Sequence, residues 1–298
     1  MSDASAVCDR LTAALAVARM AWAEGAQEPR EEAAIQGEET ASPLDAAALW
    51  VDHAFGQVSK GAPISIRPLR RSIVDMLFVG VDADELWMDV IRASDFAKHA
   101  ARVARLALLV SEGIGLSAQD RQELGVAALL HDVGYGARSL APEQSSPFAG
   151  HVRTGLLALA PRGGATQGLV WRGLVALYHH HPASTLSETP SLPARIIRLA
   201  EDYDHLCHHA KAPHSPWRAL ALMAGSGGSL YDATLLQAMI NALGCYPPGT
   251  CLQLRDGRIC WSASVAREGL FDRPRAFCAD GSSLDLAEDG VVARVMEP

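Results

Sequence analysis

The chain has 298 residues, of which 49% are hydrophobic and 20% are charged, and its formal net charge is -8 at pH 7. This length and apolar content suffice for one large hydrophobic core or two smaller ones. The negative charge argues against binding to a nucleic-acid polymer, because phosphate backbones are bound by clustered cations. No apolar run is long enough to span a membrane, so we expect a globular protein without a membrane partner.

Six cysteines are spread along the chain without a C-x-x-C pair. The first residues also lack the basic and apolar regions of a secretory signal peptide. Because disulfides are rare in the cytoplasm, this pattern predicts reduced thiols in a cytoplasmic protein.

Residues 1–90 are predicted to form a helical accessory region. An Ala-rich helical pattern comes first, an acidic linker follows near 25–43, and two further helical patterns cover about 44–59 and 69–78. No residue here suggests a chemistry. We expect these helices to receive a signal and to be the contact through which a homodimer would form.

Histidine and carboxylate residues recur along the helical patterns that follow. Asp95 and His99 lie on one face of the first helix, because residues four apart are neighbours on a helix surface. His131 and Asp132 stand together at the end of the next helix. Imidazole and carboxylate ligands suit Fe, Mn, Zn or Ni better than Ca.

Further candidate ligands come later in the chain. They are His151, the run His179–His181 at the end of a helix, and Glu201 on a helix predicted over about 192–207. Histidines and carboxylates that converge from several helices are the way in which helical bundles build multinuclear metal sites. The ordered set therefore predicts a metal centre.

A second histidine cluster lies beyond Glu201 and consists of His205, His208, His209 and His214. We interpret it as a solvated helix end rather than as a second metal site.

The pattern changes after residue 245 from helical to short alternating segments with turn residues. Residues 252–254 and 258–261 flank Asp256-Gly257 and predict a β-hairpin. A second strand pair is predicted between 275–279 and 291–295. Residues 245–298 are thus expected to form a small β-rich tail.

The motifs resemble, in their order along the chain, those of the HD-domain metal-dependent phosphohydrolases, and within them the HD-GYP branch. The matching pieces are Asp95-x-x-x-His99, His131-Asp132-x-Gly134, His151-x-x-x-Gly155, His179-His180, Ala200-Glu201-x-Tyr203-Asp204 and Tyr246-Pro247-Pro248-Gly249. The resemblance implies a mainly α fold, with an HD-domain helical bundle over 91–244 between the N-terminal helical region and the β tail.

The resemblance also implies a centre of two or three divalent transition-metal ions, with iron or manganese favoured. The implied metal ligands are His99, His131, Asp132, His151, His179, His180, Glu201 and Asp95. Asp132 would bridge two ions, and Asp95 stands where some members have a Glu that binds a third. His131 and Asp132 would be the catalytic pair. Which two residues of the three-histidine run are ligands stays open, although His179 and His180 are favoured.

Members of this kind cleave cyclic dinucleotides, typically cyclic di-GMP, with a hydroxide that the metal ions activate. We therefore expect a signalling hydrolase, a phosphodiesterase for a cyclic dinucleotide or a related nucleotide. Two departures matter: Tyr135 replaces the Lys of H-D-x-G-K, and residues 181–190 lack the Gly-Tyr-Pro loop. Tyr135 and Arg138 are the candidates for substrate contact. The alternative is a catalytically degenerate HD-GYP-like protein that binds metal or nucleotide and signals.

Overall fold

The computed structural model describes residues 42–80, 95–140, 147–159, 167–181, 190–208, 212–226, 230–266, 270–288 and 291–296. The Ala-rich pattern at the N-terminus and most of the acidic linker lie outside these ranges. None of the helices within them combines the length and the apolar character that crossing a membrane requires.

Nine α-helices lie in the described ranges. They are α1 (Pro43–Ser59), α2 (Ile66–Val79), α3 (Asp95–Gly113), α4 (Ala118–Leu129), α5 (Pro147–Leu159), α6 (Gln167–Tyr178), α7 (Leu192–His208), α8 (Pro216–Gly225) and α9 (Ala233–Leu243). A 3-10 helix, Val133–Leu140, follows α4. The predicted mainly α fold with a C-terminal sheet is confirmed.

Side chains that cap the first turn fix where several of these helices begin. Ser117 Oγ accepts a hydrogen bond of 3.1 Å from the backbone N–H of Asp120 at the start of α4. Asp232 accepts two, from the N–H groups of Thr234 and Leu235, at the start of α9. Because the first N–H groups of a helix have no partner within it, these caps stabilise the helix starts.

Helix α3 is the central helix of the bundle and contacts α1, α4, α7 and α9. Every residue from His99 to Ser111 is buried. Four alanines in this stretch let the neighbouring helices approach closely, because interaxial distance depends on side-chain size. Helices α1 and α2 belong to the same hydrophobic core as α3, so residues 43–79 pack on the helices that carry the candidate ligands.

The C-terminal strands form one antiparallel sheet with its own small core. They are β1 (Cys251–Leu254), β2 (Ile259–Ser262), β3 (Arg275–Cys278), β4 (Ser283–Asp285) and β5 (Val292–Met296), in the spatial order β4-β3-β2-β1-β5. The predicted β1–β2 hairpin is present.

The predicted pairing of residues 275–279 with 291–295 is wrong. Strand β3 pairs with β2 and β4, whereas β5 pairs with β1 at the opposite edge. The short Asp280-Gly281 turn, with Gly281 at a φ of +85°, folds the chain directly back onto β3. Strand β5 therefore adds to the edge that β1 leaves open.

The expectation that all cysteines are reduced is also wrong for one pair. Cys260 and Cys278 are opposite each other on β2 and β3, and they form a disulfide. Strand register determines which residues face each other. The disulfide was not predicted because β2 and β3 were not predicted to pair with each other. Cys207, Cys245 and Cys251 are free thiols.

Candidate metal centre

The predicted ligands converge where the ends and faces of five helical elements meet. His99 comes from α3, His131 and Asp132 from the turn after α4, and His151 from α5. His179 and His180 directly follow α6, and Glu201 lies on α7. These side chains are buried except for His180, whose side chain is 29% exposed.

Glycines let the segment after Asp132 and helix α5 approach each other. A Cβ atom on Gly134 would lie 1.9 Å from the carbonyl oxygen of His151 and 2.5 Å from the backbone nitrogen of Gly155. Thr154 Oγ1 also donates a hydrogen bond of 3.1 Å to the carbonyl of Gly134. The glycines of both histidine motifs thus bring His151 next to Asp132.

Asp132 lies between two groups of histidines, and each of its oxygens faces a different group. Oδ2 is 3.5 Å from His131 Nε2 and 3.9 Å from His99 Nε2. Oδ1 is 3.3 Å from His151 Nε2 and 3.4 Å from His179 Nε2. A carboxylate placed in this way can hold two neighbouring cations, one at each oxygen.

Two of these histidines are oriented by backbone carbonyls. His131 Nδ1 is 2.7 Å from the carbonyl oxygen of Ala128, and His179 Nδ1 is 2.8 Å from that of Val175. Since a carbonyl only accepts hydrogen bonds, Nδ1 carries the proton in each neutral ring and Nε2 presents a lone pair. Both lone pairs point toward the Asp132 carboxylate, so the two Nε2 acceptors face acceptor oxygens and repel them. A cation between these atoms would remove the repulsion, because all of them could bind it.

His99 is oriented by a buried carboxylate. Its Nδ1 is 2.8 Å from Asp204 Oδ2, and Arg102 holds the same carboxylate with bonds of 2.5 and 3.0 Å. Hydrogen bonds from Arg102 and His99 keep the pKa of Asp204 below its usual range although burial acts in the opposite direction. An ionised carboxylate behind the ring directs Nε2 toward Asp132, which is how metal-binding histidines are commonly oriented.

Two of the groups of donor atoms that lie within 4.8 Å of one another share Asp132, and these are called the two ligand groups. One contains His99, His131 and Asp132, and the other contains Asp132, His151, His179 and His180. His131 Nε2 and Asp132 Oδ1 are buried and have no hydrogen-bond partner among the described residues. Buried nitrogens and carboxylate oxygens without partners are the donors that transition metals take, so the residues present fit such ions.

Burial keeps the imidazoles of His131 and His180 neutral at pH 7. It lowers the pKa of His131 to about 3, with Asp132 acting against the shift, and it lowers the pKa of His180 to about 2, assisted by His179 and His151. A neutral ring retains the lone pair that a metal requires. The pKa of Asp132 is lowered despite its burial, chiefly by the nearby His131 imidazole.

The pKa of Glu201 is shifted in the opposite direction to that of Asp132. Burial, followed by the charges of Asp132 and Asp202, raises its pKa well above the usual range. Its Oε1 is 3.3 Å from His180 Nδ1, whereas Oε2 has no hydrogen-bond partner among the described residues. A cation nearby would favour the ionised form, because opposite charges stabilise each other.

The remaining predicted residues have different surroundings. Tyr135 stacks on His151, with ring centroids 4.1 Å apart and planes at 8°, and it also packs against Phe96. Asp95 is exposed and belongs to neither ligand group, so its role for a third ion stays a prediction. The side chain of Arg138 lies outside the described residues. His181 is exposed and packs against Tyr178, which leaves His179 and His180 as the pair beside Asp132.

Sequence reasoning missed two contributors. Asp204 was seen only as one more carboxylate on α7, although it is the residue that orients His99. His205 was placed in a solvated cluster, yet its ring stacks on that of His99 with centroids 4.7 Å apart. Its spacing of four residues from Glu201 was the available signal, because that spacing places both on one helix face.

Comparison with known proteins agrees with this geometry. The HD domain family model matches residues 96–206. The chain is 28% identical over 189 residues to the cyclic di-GMP phosphodiesterase PA4108 of Pseudomonas aeruginosa, covering 57% of this chain and 45% of the relative. It is 28% identical over 159 residues to the cyclic di-GMP phosphodiesterase response regulator RpfG of Xanthomonas campestris pv. campestris, covering 47% of this chain and 41% of the relative.

These matches span less than half the length of either relative. The family match begins within α3 and ends within α7, so it includes His99, Asp132 and Glu201 together with the helices that carry the other candidate ligands. It confirms the HD-domain resemblance drawn from the motifs. Residues 96–206 of this chain are thus similar to an HD domain.

Proposed function

We propose that the protein is a metal-dependent phosphodiesterase that hydrolyses a cyclic dinucleotide, with cyclic di-GMP as the first candidate, in the manner of the HD-GYP branch. The observation that carries the proposal is the position of Asp132, whose two oxygens face separate histidine groups. The names of the two relatives supply the substrate class. The chain itself supplies the donors for two ions, with iron or manganese favoured.

The metal ions would supply Lewis acidity, activating a water and offsetting charge on the phosphoryl oxygens. The residues of this chain hold the ligands in place for that chemistry. Backbone carbonyls fix the tautomers of His131 and His179, and Asp204 fixes that of His99. The neutral rings of His131 and His180 and the ionised Asp132 provide a site with little charge of its own to repel an anionic phosphodiester.

The neighbourhood of His180 is fixed from α7. Arg198 donates a hydrogen bond to the carbonyl oxygen of His180 and forms an ion pair of 3.2 Å with Asp202. Holding the backbone here positions both neighbouring histidines at the end of α6. A ligand set that is rigid before the ions arrive loses less conformational entropy when they bind.

A specific observation favours a second candidate, a degenerate HD-GYP-like protein that binds metal or nucleotide without turnover. Tyr135 occupies the position of the family's Lys and stacks on His151. A phenol is neutral at pH 7 and offers a phosphate no positive charge. In this alternative the centre would bind its ligand and signal through the N-terminal helices.

Hydrolysis of cyclic di-GMP separates the two candidates. Protein reconstituted with Mn(II) or Fe(II) should convert cyclic di-GMP to the linear dinucleotide, detected by chromatography, and His131→Ala and Asp132→Ala should abolish the conversion. His53→Ala is the matched control, because His53 lies on α1 beside Trp50 and belongs to none of the ligand groups found among the described residues. Cyclic di-GMP binding without any product, under both metals, would reject the enzyme and support the degenerate protein.

A further inference from the structure

We infer that His205 is a further metal ligand of this centre, acting together with Glu201 and His99. The inference deepens the proposed function, since it adds a ligand to the same site. His205 lies on α7, one helical turn after Glu201. One donor atom from each of His99, Glu201 and His205 lies within 4.8 Å of the others. The motif that carries the family resemblance ends at Asp204, so His205 lies outside the ligand set that the resemblance implies.

The carboxylate of Glu201 is the first reason for this assignment. Glu201 is 1% exposed, and its Oε2 has no hydrogen-bond partner among the described residues. A buried carboxylate oxygen without a partner loses its hydration and gains nothing in return, which costs free energy unless a cation or a donor is nearby. An ion beside Oε2 would offset that loss.

The ring arrangement is the second reason. The imidazoles of His99 and His205 lie nearly parallel, with planes at 12° and centroids 4.7 Å apart. Parallel rings from two helices can direct one nitrogen each toward a common point. Helix α7 places Glu201 and His205 on the same face, and α3 brings His99 against that face. The three donors therefore converge from two packed helices.

An added imidazole would change what the centre binds. With His205, the ion beside His99 would be held by nitrogen donors from two helices in addition to carboxylate oxygen. Of the two metals named in the proposed function, such a set favours iron over manganese, because imidazole is a softer ligand than carboxylate.

Metal affinity, measured without substrate, tests the inference. Metal-free full-length protein is titrated with Co(II) and, separately, with Zn(II) against a chromophoric chelator. His205→Ala should weaken the binding of one ion by about 10-fold or more, leave the other unchanged, and alter the visible absorption of the bound Co(II). His205→Gln should lose the same affinity, whereas His205→Asp, which keeps a ligand, should recover most of it. His53→Ala should match the wild type.

The outcomes discriminate clearly. Wild-type affinity and an unchanged Co(II) spectrum in His205→Ala would overturn the inference, as would recovery by Gln rather than by Asp, which would indicate a packing role. If the alanine variant fails to fold, the comparison of Gln with Asp decides. Failure of the wild type to bind any metal would reject both this inference and the proposed function. Two bound ions without turnover would reject the enzyme while the ligand assignment stood.

Discussion

Asp204 shows how one buried residue can control a ligand that it only supports. It is 1% exposed and accepts hydrogen bonds from His99 and Arg102, so its neutralisation takes this counter-ion from the buried Arg102 guanidinium. We expect Asp204→Asn to lower the free energy of unfolding by about 3–5 kcal/mol at pH 7. Asp75→Asn, which breaks an exposed ion pair with Arg71, should cost less than about 1 kcal/mol.

The pKa of Asp204 also sets the pH dependence of this effect. Because the folded-state pKa lies below the unfolded value of about 3.9, the ionised carboxylate stabilises the fold above that value and the contribution is lost as the pH falls through the folded-state pKa. Urea titrations of metal-free protein should therefore show the difference between wild type and Asp204→Asn at pH 7 and a smaller difference at pH 3. An equal difference at both pH values would contradict the assignment.

A single glycine determines how closely His151 approaches Asp132. In Gly134→Ala the new Cβ would lie 1.9 Å from the His151 carbonyl oxygen, a backbone atom that cannot move alone. We expect a lower melting temperature and weaker metal binding, because α5 must shift. Gly56→Ala in α1 is the control with the opposite sign, since no atom lies within 4 Å and alanine favours a helix by about 0.5–1 kcal/mol. Thermal melts of both variants test the pair.

The bounds of the helices could be predicted from the sequence, whereas the contacts between elements that are far apart in the chain could not. The helices predicted over about 44–59 and 192–207 lie close to their observed places, Pro43–Ser59 and Leu192–His208, since a helical pattern depends on neighbouring residues. The strand partners of β3 and β5 were assigned wrongly because pairing depends on residues far apart in the chain. His205 was missed for the same reason: its helix was predicted, but its contact with His99 on α3 was not.

Glu123 connects helices α2, α4 and α6, of which α4 and α6 lead into residues of the candidate metal centre. From α4 it forms ion pairs with Arg70 of α2, at 2.5 Å, and with Arg172 of α6, at 3.2 Å. Burial, partly offset by Glu123, lowers the pKa of Arg172. Glu123→Gln should destabilise the protein by about 3–5 kcal/mol in denaturant titrations, because the buried Arg172 loses its counter-ion. Glu112→Gln, which affects a pair with a 52% exposed carboxylate, should change stability by less than about 1 kcal/mol; equal effects would refute this role.

On the scale of the whole molecule, the described residues form two hydrophobic cores, and only the helical one is built from the elements that carry candidate metal ligands. The helical core joins helices α1–α9, while the sheet has a separate core around Leu252 and Cys260. All residues of the two ligand groups come from the helical part. A metal that binds the native state stabilises the structures that hold its ligands, by an amount that grows with its concentration over Kd.

Hydrogen exchange measured with and without Mn(II) should therefore separate the two parts of the molecule. We expect the metal to slow amide exchange in α3, in α5 and α7, and in the turn containing His131, and to leave the strands β1–β5 unchanged, because no strand contributes a ligand to these groups. Asp132→Asn should abolish the metal-dependent protection, since it removes the carboxylate shared by both groups. Protection that spread equally to the sheet, or that survived in Asp132→Asn, would show that the metal acts elsewhere.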